Sequence, residues 1–275
     1  MTTKKKSYEE KIVELENKLL QRTLDLKMCQ KENEEFIYIA SHDLKAPLRK
    51  LSTFSSRLSE KAGNLLGQEG LSYLQRIEKT VAAMQSLVDS LSALSEIETG
   101  INFVNCDLNL IMNQLIKELE EIFQQKNATI KISQLPIIEA NAAQMKEVFK
   151  NLINNSLLFQ PEGQAPQIIV TSELLNREEK TDYNLDSGKE YYKIEFTDNG
   201  IGFNQEYANQ IFKPFKRLHG KSTYPGNGLG LAICKKIVIM HQGNMYAKGN
   251  ENAGSLFVLI LPQIHEKLYA DATPN

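Results

Sequence analysis

The chain has 275 residues, of which 41% are hydrophobic and 24% are charged, and its formal net charge is −2. This composition is typical of a globular protein with one large or two ordinary domains, and it offers no basic field for binding nucleic acid. No apolar run is long enough to cross a bilayer. The three cysteines (Cys29, Cys106 and Cys234) lack metal-ligand spacing. We therefore expect a cytoplasmic protein, or the cytoplasmic part of a larger one, with reduced thiols.

Residues 1–35 are predicted to form a coiled coil. The residues that would face a partner helix are spaced alternately three and four positions apart, which is the spacing of the contact seam in a two-stranded coiled coil. The seam consists of Ile12, Leu15, Leu19, Arg22, Leu26, Cys29, Asn33 and Phe36. An asparagine at a seam position favours a dimer in one register. The alternative is a single amphipathic helix packed on its own domain, but no Gly or Pro interrupts the pattern, and we predict a homodimer.

Residues 36–98 are predicted to form a helical hairpin. The helical pattern continues through 36–61, where Pro47 should kink the helix because proline removes a backbone donor. The polar, glycine-containing stretch 62–70 indicates a helix–helix connection, and 71–97 has apolar residues at helical spacing. A hairpin alone buries its apolar stripe poorly, whereas two hairpins in a dimer would bury it in a four-helix bundle.

Residues 103–265 are predicted to form an α+β domain, followed by a flexible tail at 266–275. The predicted helices span 107–125 and 141–158, and the predicted strands span 128–133, 167–174, 191–198, 244–249 and 255–262. Two of these strands alternate apolar and polar residues, as expected for a sheet that helices cover on one face only. We interpret the polar stretch 176–190 as a long, mobile hairpin loop without chemistry of its own.

Two glycine-containing segments of this domain are candidate ligand-binding turns, and the one that opens a helix suits a phosphate, although a lone glycine motif is weak evidence. The first is Asp198-Asn199-Gly200-Ile201-Gly202, directly after a predicted strand, and the second is Gly226-Asn227-Gly228-Leu229-Gly230-Leu231, which opens a helix. Alternate glycines let backbone amides approach phosphate oxygens, and a helix N-terminus favours negative charge. The second segment is not the dinucleotide-binding fingerprint, which follows a strand in a βαβ unit, and the chain has no P-loop motif.

The predicted helix at 141–158 carries two asparagines, Asn151 and Asn155, which lie four residues apart and therefore on one face. Asparagine has low helix propensity, so two of them in a helix interior suggest a function. If they stood alone, two solvated side chains would be the simpler interpretation. In the same domain as two glycine-containing segments, we interpret them as part of one ligand site.

Taken together, these segments resemble the sensor histidine kinases of two-component systems over roughly 36–263. The matching segments, in chain order, are SHDLKAPL, NLINNSLLF, DNGIGF, IFKPFKRL, GNGLGL and AGSLFVLILP. The similarity is greatest to the branch that includes the bacterial phytochrome-type kinases. The resemblance implies an α+β fold in which an N-terminal coiled coil and a hairpin, paired in a dimeric four-helix bundle, precede an α/β-sandwich ATP-binding domain of the Bergerat (GHKL) type.

The resemblance also implies roles for individual residues. His42 would accept the phosphoryl group, and Asp43 would orient its imidazole and take its proton. Asp198 would receive the adenine amino group, Asn155 would hold Mg²⁺ against the phosphates of ATP, and Asn151 would support the same site. The other residues assigned to ATP binding are Gly200, Gly202, Gly226, Gly228, Gly230, Leu231, Lys213 and Arg217.

Residues 203–225 would form a mobile lid over the nucleotide. Phe212 and Phe215 would anchor this lid to the core of the domain. Lys213, Arg217 and Lys221 would offer positive charge to the phosphates. For Lys221, a solvated basic loop is an equally good interpretation.

The implied function is ATP-dependent autophosphorylation of His42, followed by transfer to an aspartate in the receiver domain of a response regulator. An upstream sensor domain, in cis or in trans, would control it. Asn151 stands where related ATPases place a glutamate that activates water, which favours transfer over hydrolysis. Ala46 cannot hydrogen-bond a water as the Thr or Asn of many phosphatase-active members does, so we expect weak phosphatase activity. Leu158 replaces a lysine that many members have, which leaves open a non-catalytic dimeric scaffold with a vestigial nucleotide site. A third alternative, an ATPase of the same fold, is disfavoured by Asn151 and by the segment around His42.

Overall fold

The computed structural model describes residues 2–96, 103–218, 224 and 226–264. The chain divides into two compact units, Met1–Glu96 and Ile97–Asn275. The predicted tail at 266–275 and Lys221 lie outside the described residues. Within the described part of the chain, no helix combines the length and the apolar character that a bilayer crossing requires.

The first unit is a helical hairpin. Helix α1 (Thr2–Ala62) runs through the predicted coiled-coil segment and the first predicted hairpin helix, and Pro47 lies inside it. A 3₁₀ turn (Gly63–Leu65) leads to α2 (Gly67–Glu96). Helix α2 begins earlier than predicted because Gly67 adopts a φ of +63°, which reverses the chain before the first helical turn.

The hairpin is organised by residues that lie seven positions apart. The buried set is Ser41, Leu48 and Ser55 on α1 and Leu74, Val81 and Val88 on α2. A second set is exposed, by 47% to 51% of each side chain, and consists of Leu44, Leu51 and Leu58 on α1 and Ile77 and Met84 on α2. Because seven residues are close to two helical turns, each set forms a stripe along its helix. The hairpin thus buries one seam and leaves a second, apolar seam at its surface.

The second unit is an α/β sandwich. Its main sheet consists of β2 (Thr129–Ile132), β4 (Gln167–Leu174), β5 (Tyr191–Asp198), β6 (Asn244–Gly249) and β7 (Ser255–Pro262). The strand order is β2-β4-β5-β7-β6, with β2 parallel to β4 and the other neighbours antiparallel. A separate antiparallel ribbon pairs β1 (Val104–Asp107) with β3 (Ile137–Ala140). The helices are α3 (Leu108–Glu118), α4 (Glu120–Gln125), α5 (Ala142–Leu158), α6 (Arg177–Asp182) and α7 (Gly230–Met240).

The core of this unit holds α5 against the sheet. Met145 and Phe149 of α5 are fully buried, and the Phe149 ring centroid lies 5.5 Å from that of Phe196 in β5. Ile237 of α7 is buried as well. Each such side chain contributes about 1.5–3 kcal/mol of hydrophobic stabilisation. This packing fixes the helix that carries both asparagines beside the strand that ends at Asp198.

The predicted helix at 107–125 is wrong in one respect, because the structure divides it into α3 and α4. The division lies at Leu119, which leaves helical geometry (φ −98°, ψ 4°) and buries its side chain. The ribbon of β1 and β3 was not predicted at all. Val104–Asp107 contains Asn and Asp, which are depleted in strands, and Ile137–Ala140 does not alternate apolar and polar residues as the equally short β2 does.

The stretch 176–190 is not the structureless loop that its polar composition suggested. It begins with α6, where Asn176 and Glu179 form a reciprocal capping box. The Tyr183 hydroxyl then lies 2.7 Å from the Tyr246 hydroxyl of β6. Leu185 packs against a buried cluster formed by Leu175, Tyr191, Val258 and Ile260. A few apolar contacts made by a polar segment are sufficient to order it.

Candidate active site

Asp198, at the end of β5, is held in place by three hydrogen bonds. Its Oδ1 accepts the backbone N–H groups of Gly200 (2.8 Å) and Ser255 (3.2 Å), and its Oδ2 accepts the Ser156 hydroxyl (3.4 Å). Burial raises the pKa of the Asp198 carboxyl, although these hydrogen bonds act in the opposite direction. A carboxyl group fixed in this way can direct its remaining lone pairs toward one specific N–H donor.

The turn that follows Asp198 packs against the C-terminal end of α5. The Ile201 N–H donates to the Phe159 carbonyl oxygen at 2.9 Å. A Cβ at Gly200 would lie 2.3 Å from that oxygen, and a Cβ at Gly202 would lie 1.9 Å from the Asn250 carbonyl oxygen. These separations exclude any side chain at either position, so the turn brings backbone alone to the end of the helix.

Helix α5 presents the two asparagines in different states. The Asn151 amide donates from Nδ2 to the carbonyl oxygen (3.0 Å) and to Oε1 (2.8 Å) of Glu147. The Asn155 side chain, one turn later, is half-buried and makes no hydrogen bond to any residue that the structure describes. Its amide is therefore available to a ligand.

The second glycine segment meets α5 beside Asn151. A Cβ at Gly230 would lie 2.8 Å from Asn151 Oδ1. Gly230 also begins α7, and the preceding Leu229 provides no side-chain cap, so no cap uses the first N–H groups of this helix. Free N–H groups at a helix N-terminus suit an anion such as phosphate. Of the other predicted residues here, Gly226 is exposed and Leu231 is half-buried.

Phe212 and Phe215, the two residues predicted to anchor the lid, differ in how far they are buried. Phe215 is 55% exposed, so the prediction that it anchors the lid is wrong. The reason is its backbone, whose φ of +62° turns the ring outward while its N–H donates to the Gly228 carbonyl oxygen at 2.9 Å. Phe212 is half-buried, and the neighbouring Ile211 is buried in the core.

The predicted lid cations also lie in different surroundings. Lys213 is exposed. The Arg217 guanidinium donates to the carbonyl oxygen of Tyr224, within the lid itself. Lys221 is outside the described residues.

His42 and Asp43 lie in the first unit, on the exposed side of α1. Their side chains are 76% and 75% exposed, and His42 Nδ1 is 3.3 Å from Asp43 Oδ1. The preceding residue, Ser41, is fully buried, so the helical rotation of about 100° per residue turns the imidazole away from the seam. If Nδ1 carries the proton that faces the carboxylate, the Nε2 lone pair points to solvent.

Of the predicted ATP-binding residues, the structure therefore brings Asp198, Gly200 and Gly230 to α5, the helix that carries Asn151 and Asn155. The Asp198 turn packs at the C-terminal end of this helix, and Gly230 packs at Asn151. His42 and Asp43 belong to the other unit.

Sequence reasoning missed the residues that hold Asp198. Ser156 and Ser255 both donate to its carboxyl group. Gly254 has a φ of +89°, and a Cβ there would lie 1.9 Å from the Asp198 carbonyl oxygen. The available signals were the AGS sequence before the last strand and a serine one position after Asn155.

Two family models match the chain. Residues 140–265 match the histidine kinase-, DNA gyrase B- and HSP90-like ATPase family, and residues 32–100 match the His Kinase A (phospho-acceptor) domain. Cyanobacterial phytochrome A from Nostoc sp. is 30% identical over 247 residues, which cover 90% of this chain and 30% of that protein. The chain thus spans about a third of the length of this relative.

Two solved structures share the fold. Full-length ShkA in complex with AMPPNP has a TM-score of 0.63 at 19% identity, over 83% of this chain and 45% of that one. Histidine kinase ThkA in complex with the response regulator protein TrrA has a TM-score of 0.54 at 20% identity, over 84% and 63% of the respective chains. The hairpin, the α/β sandwich and the two family matches agree in order and position. The chain belongs to the sensor histidine kinases and carries the phospho-acceptor and ATPase domains of their catalytic core.

Proposed function

We propose that the chain transfers the γ-phosphoryl group of ATP to His42 and then to an aspartate in the receiver domain of a response regulator. One observation carries this proposal: the imidazole of His42 is exposed and lies beside the Asp43 carboxylate. The same chain also holds, in its second unit, the site formed by Asp198 and the two asparagines. In this assignment residues 1–35 form a signalling coiled coil, 36–98 the dimerisation and phosphotransfer domain, and 103–265 the catalytic domain. The site of action is the cytoplasm, where ATP is available.

The residues around α5 fit the parts of ATP in order. Asp198, an acceptor in a buried position, would take the exocyclic amine of adenine. The uncapped start of α7 at Gly230 would face the phosphates. Because glycine has no Cβ, the backbone at Gly200 and Gly202 would be able to approach the base. In the same way, the backbone at Gly226 and Gly228 would be able to approach the phosphates.

Magnesium is the expected partner of the phosphates, and the residues present suit it. Mg²⁺ takes oxygen ligands, usually one or two from the protein and the rest from phosphates and water. The side-chain oxygen of Asn155 has no hydrogen-bond partner among the described residues and lies between Asn151 and the Asp198 turn in the order of the helix. Asn155 would therefore hold the ion, which would neutralise phosphate charge during transfer.

His42 supplies the nucleophile. With Nδ1–H directed at Asp43, the Nε2 lone pair can attack the γ-phosphorus as the bond from that phosphorus to the β,γ-bridging oxygen breaks and ADP leaves. The Asp43 carboxylate stabilises the imidazolium that forms and accepts its Nδ1 proton. In the second step the N–P bond breaks while a receiver aspartate oxygen forms a bond to phosphorus. Asn151 cannot serve as a base for water, which favours transfer over hydrolysis.

A homodimer is the assembly that the hairpin supports. Its second seam, formed by the exposed residues of α1 and α2 spaced seven apart, is apolar and repeats in register with the buried one. Pairing this seam with that of a second copy would complete a four-helix bundle. The long α1 would connect the bundle to an upstream sensor domain, in cis or in trans. For the downstream partner, support comes from the fold shared with ThkA, which was solved with its response regulator.

Incubation with γ-labelled ATP and Mg²⁺ tests the proposal. We expect label on the protein that is acid-labile and alkali-stable, lost in His42→Gln and kept in His265→Gln as the matched histidine substitution. ATP binding without labelled protein would instead support a scaffold. Free phosphate without labelled protein would support an ATPase.

A further inference from the structure

Tyr224, which precedes the second glycine segment, is docked on the C-terminal end of α5. Its ring centroid lies 5.2 Å from that of Phe159, with the rings tilted by 49°. Its hydroxyl donates to the Gln160 carbonyl oxygen at 3.2 Å. Its own carbonyl oxygen accepts a hydrogen bond from the Arg217 guanidinium. Tyr224 therefore joins the lid to the helix that carries the asparagines.

The position of this contact on α5 determines the path of the glycine segment. Asn151, Asn155 and Phe159 follow one another at intervals of four residues, so they share one face of the helix. Gly230 contacts this face at Asn151, and Tyr224 contacts it at Phe159. Asn155 therefore lies on this face between the contacts made by Tyr224 and by Gly230, the last glycine of the segment.

The segment is longer than the distance it has to cross. Eight helical residues rise about 12 Å, whereas six residues of extended chain can reach about 20 Å. The excess length lets the segment arch above Asn155. Phosphate groups can then lie between the arch and the helix, with the backbone N–H groups of the arch around them.

The same contact is also connected to Asp198 through hydrogen bonds of Gln160 and Ser156. Gln160 Nε2 donates to the Ser156 carbonyl oxygen at 2.6 Å, and the Ser156 hydroxyl donates to Asp198. Gln160 Oε1 is buried. Tyr224 is thus hydrogen-bonded to the residue whose side chain is linked, through Ser156, to the carboxyl group proposed to bind adenine.

We propose that Tyr224 is a positioning residue for the nucleotide: by docking on Phe159 and Gln160 it fixes one end of the arch over Asn155 before ATP binds. The inference rests on the proposed function, because it concerns the same ATP site. A loop that is already ordered loses less conformational freedom when a ligand binds. The contact therefore lowers the Kd and the KM for ATP, and it leaves the rate of the bound complex nearly unchanged.

The test measures the Kd of a fluorescent ATP analogue in the His42→Gln background, where binding is separated from phosphorylation. Tyr224→Phe keeps the ring and loses the hydroxyl, and we expect its Kd to rise by about threefold, as for one neutral hydrogen bond. Tyr224→Ala loses both contacts and should raise the Kd by about tenfold or more. Tyr183→Phe is the matched control, because it also removes a tyrosine hydroxyl from the same unit, one that lies 2.7 Å from the Tyr246 hydroxyl of the edge strand β6 and contacts none of the proposed nucleotide-binding residues that the structure describes.

With His42 intact, both Tyr224 variants should raise the KM for ATP and change kcat by less than about twofold, the split expected for lost binding alone. Amide hydrogen exchange at residues 226–230 should be faster in Tyr224→Phe than in the parent chain. This measurement tests the inference even if Tyr224→Ala does not fold. Unchanged Kd and exchange in the Tyr224 variants, or a fall in kcat at constant KM, would overturn the inference. Failure of the parent chain itself to bind ATP would overturn the proposed function as well, so the two failures are distinguishable.

Discussion

The substitution Asp198→Asn tests the proposed recognition of adenine by the Asp198 carboxylate. Asparagine has nearly the same shape and can still accept the Gly200 and Ser255 N–H groups through its Oδ1. Its Nδ2, however, replaces the acceptor oxygen and cannot receive an exocyclic amine. A hydrogen bond to a charged group contributes about 1.5–3 kcal/mol, so the affinity for ATP should fall by about 10- to 100-fold.

Although Asp198→Asn should weaken ATP binding, it should raise the free energy of unfolding relative to the parent chain at high pH. Burial raises the pKa of Asp198 in the folded state above its value in the unfolded chain. The folded state therefore holds more protons between the two pKa values, and the stability of the parent chain declines as pH rises through that interval. Below the unfolded pKa this decline has not begun, and above the folded pKa it is complete. Asp198→Asn stays neutral throughout, so its free energy of unfolding relative to the parent should increase with pH across the same interval.

Binding titrations with ATP and with inosine triphosphate test the recognition directly, since the second nucleotide lacks the exocyclic amine. The parent chain should prefer ATP, and Asp198→Asn should lose that preference. Asp182→Asn, an exposed carboxyl in α6, is the matched control and should behave like the parent. If Asp198→Asn keeps both its ATP affinity and its preference for ATP, the proposed role of Asp198 is wrong.

Three further predictions concern other parts of the chain. Gly254→Ala should lower the free energy of unfolding, measured by heat or urea, by more than about 3 kcal/mol, because its Cβ would lie 1.9 Å from a carbonyl oxygen. Gly163→Ala is the control and should lower it by only about 1 kcal/mol, since Gly163 also has a positive φ but lies in open space. Mild oxidation should cross-link two copies through the exposed Cys29, since the other two thiols are buried; a monomeric product with Cys29 fully reactive to a thiol reagent would contradict the coiled-coil dimer. Dephosphorylation of the phosphorylated regulator should be no faster with this protein than without it, and Ala46→Thr should accelerate it; acceleration by the parent chain would refute the assignment of Ala46.

Much of the secondary structure follows from local pattern. The strands predicted at 167–174, 191–198, 244–249 and 255–262 are β4, β5, β6 and β7 with the same bounds. Apolar and β-branched residues mark these strands, and glycine, asparagine and polar residues mark their ends, so neighbours along the chain carry the information. The unpredicted β1 and β3 lack these signals, whereas α6 begins at a local one, the capping box of Asn176 and Glu179. The placement of Tyr183 and Leu185 after α6 depends on contacts with β6 and the sheet core that no local window includes.

The sequence by itself determined the hairpin, the order of the strands along the chain and the chemistry available to the site, because periodicity and residue type are local properties. Only the tertiary structure decided how the site is held. Ser255 donates to Asp198 from 57 residues along the chain, and Gly230 contacts Asn151, which lies on a different helix. Phe215 is exposed, although its aromatic side chain led us to predict an anchor. These arrangements depend on how closely separate segments can approach, and that distance is set by the packing of the whole domain.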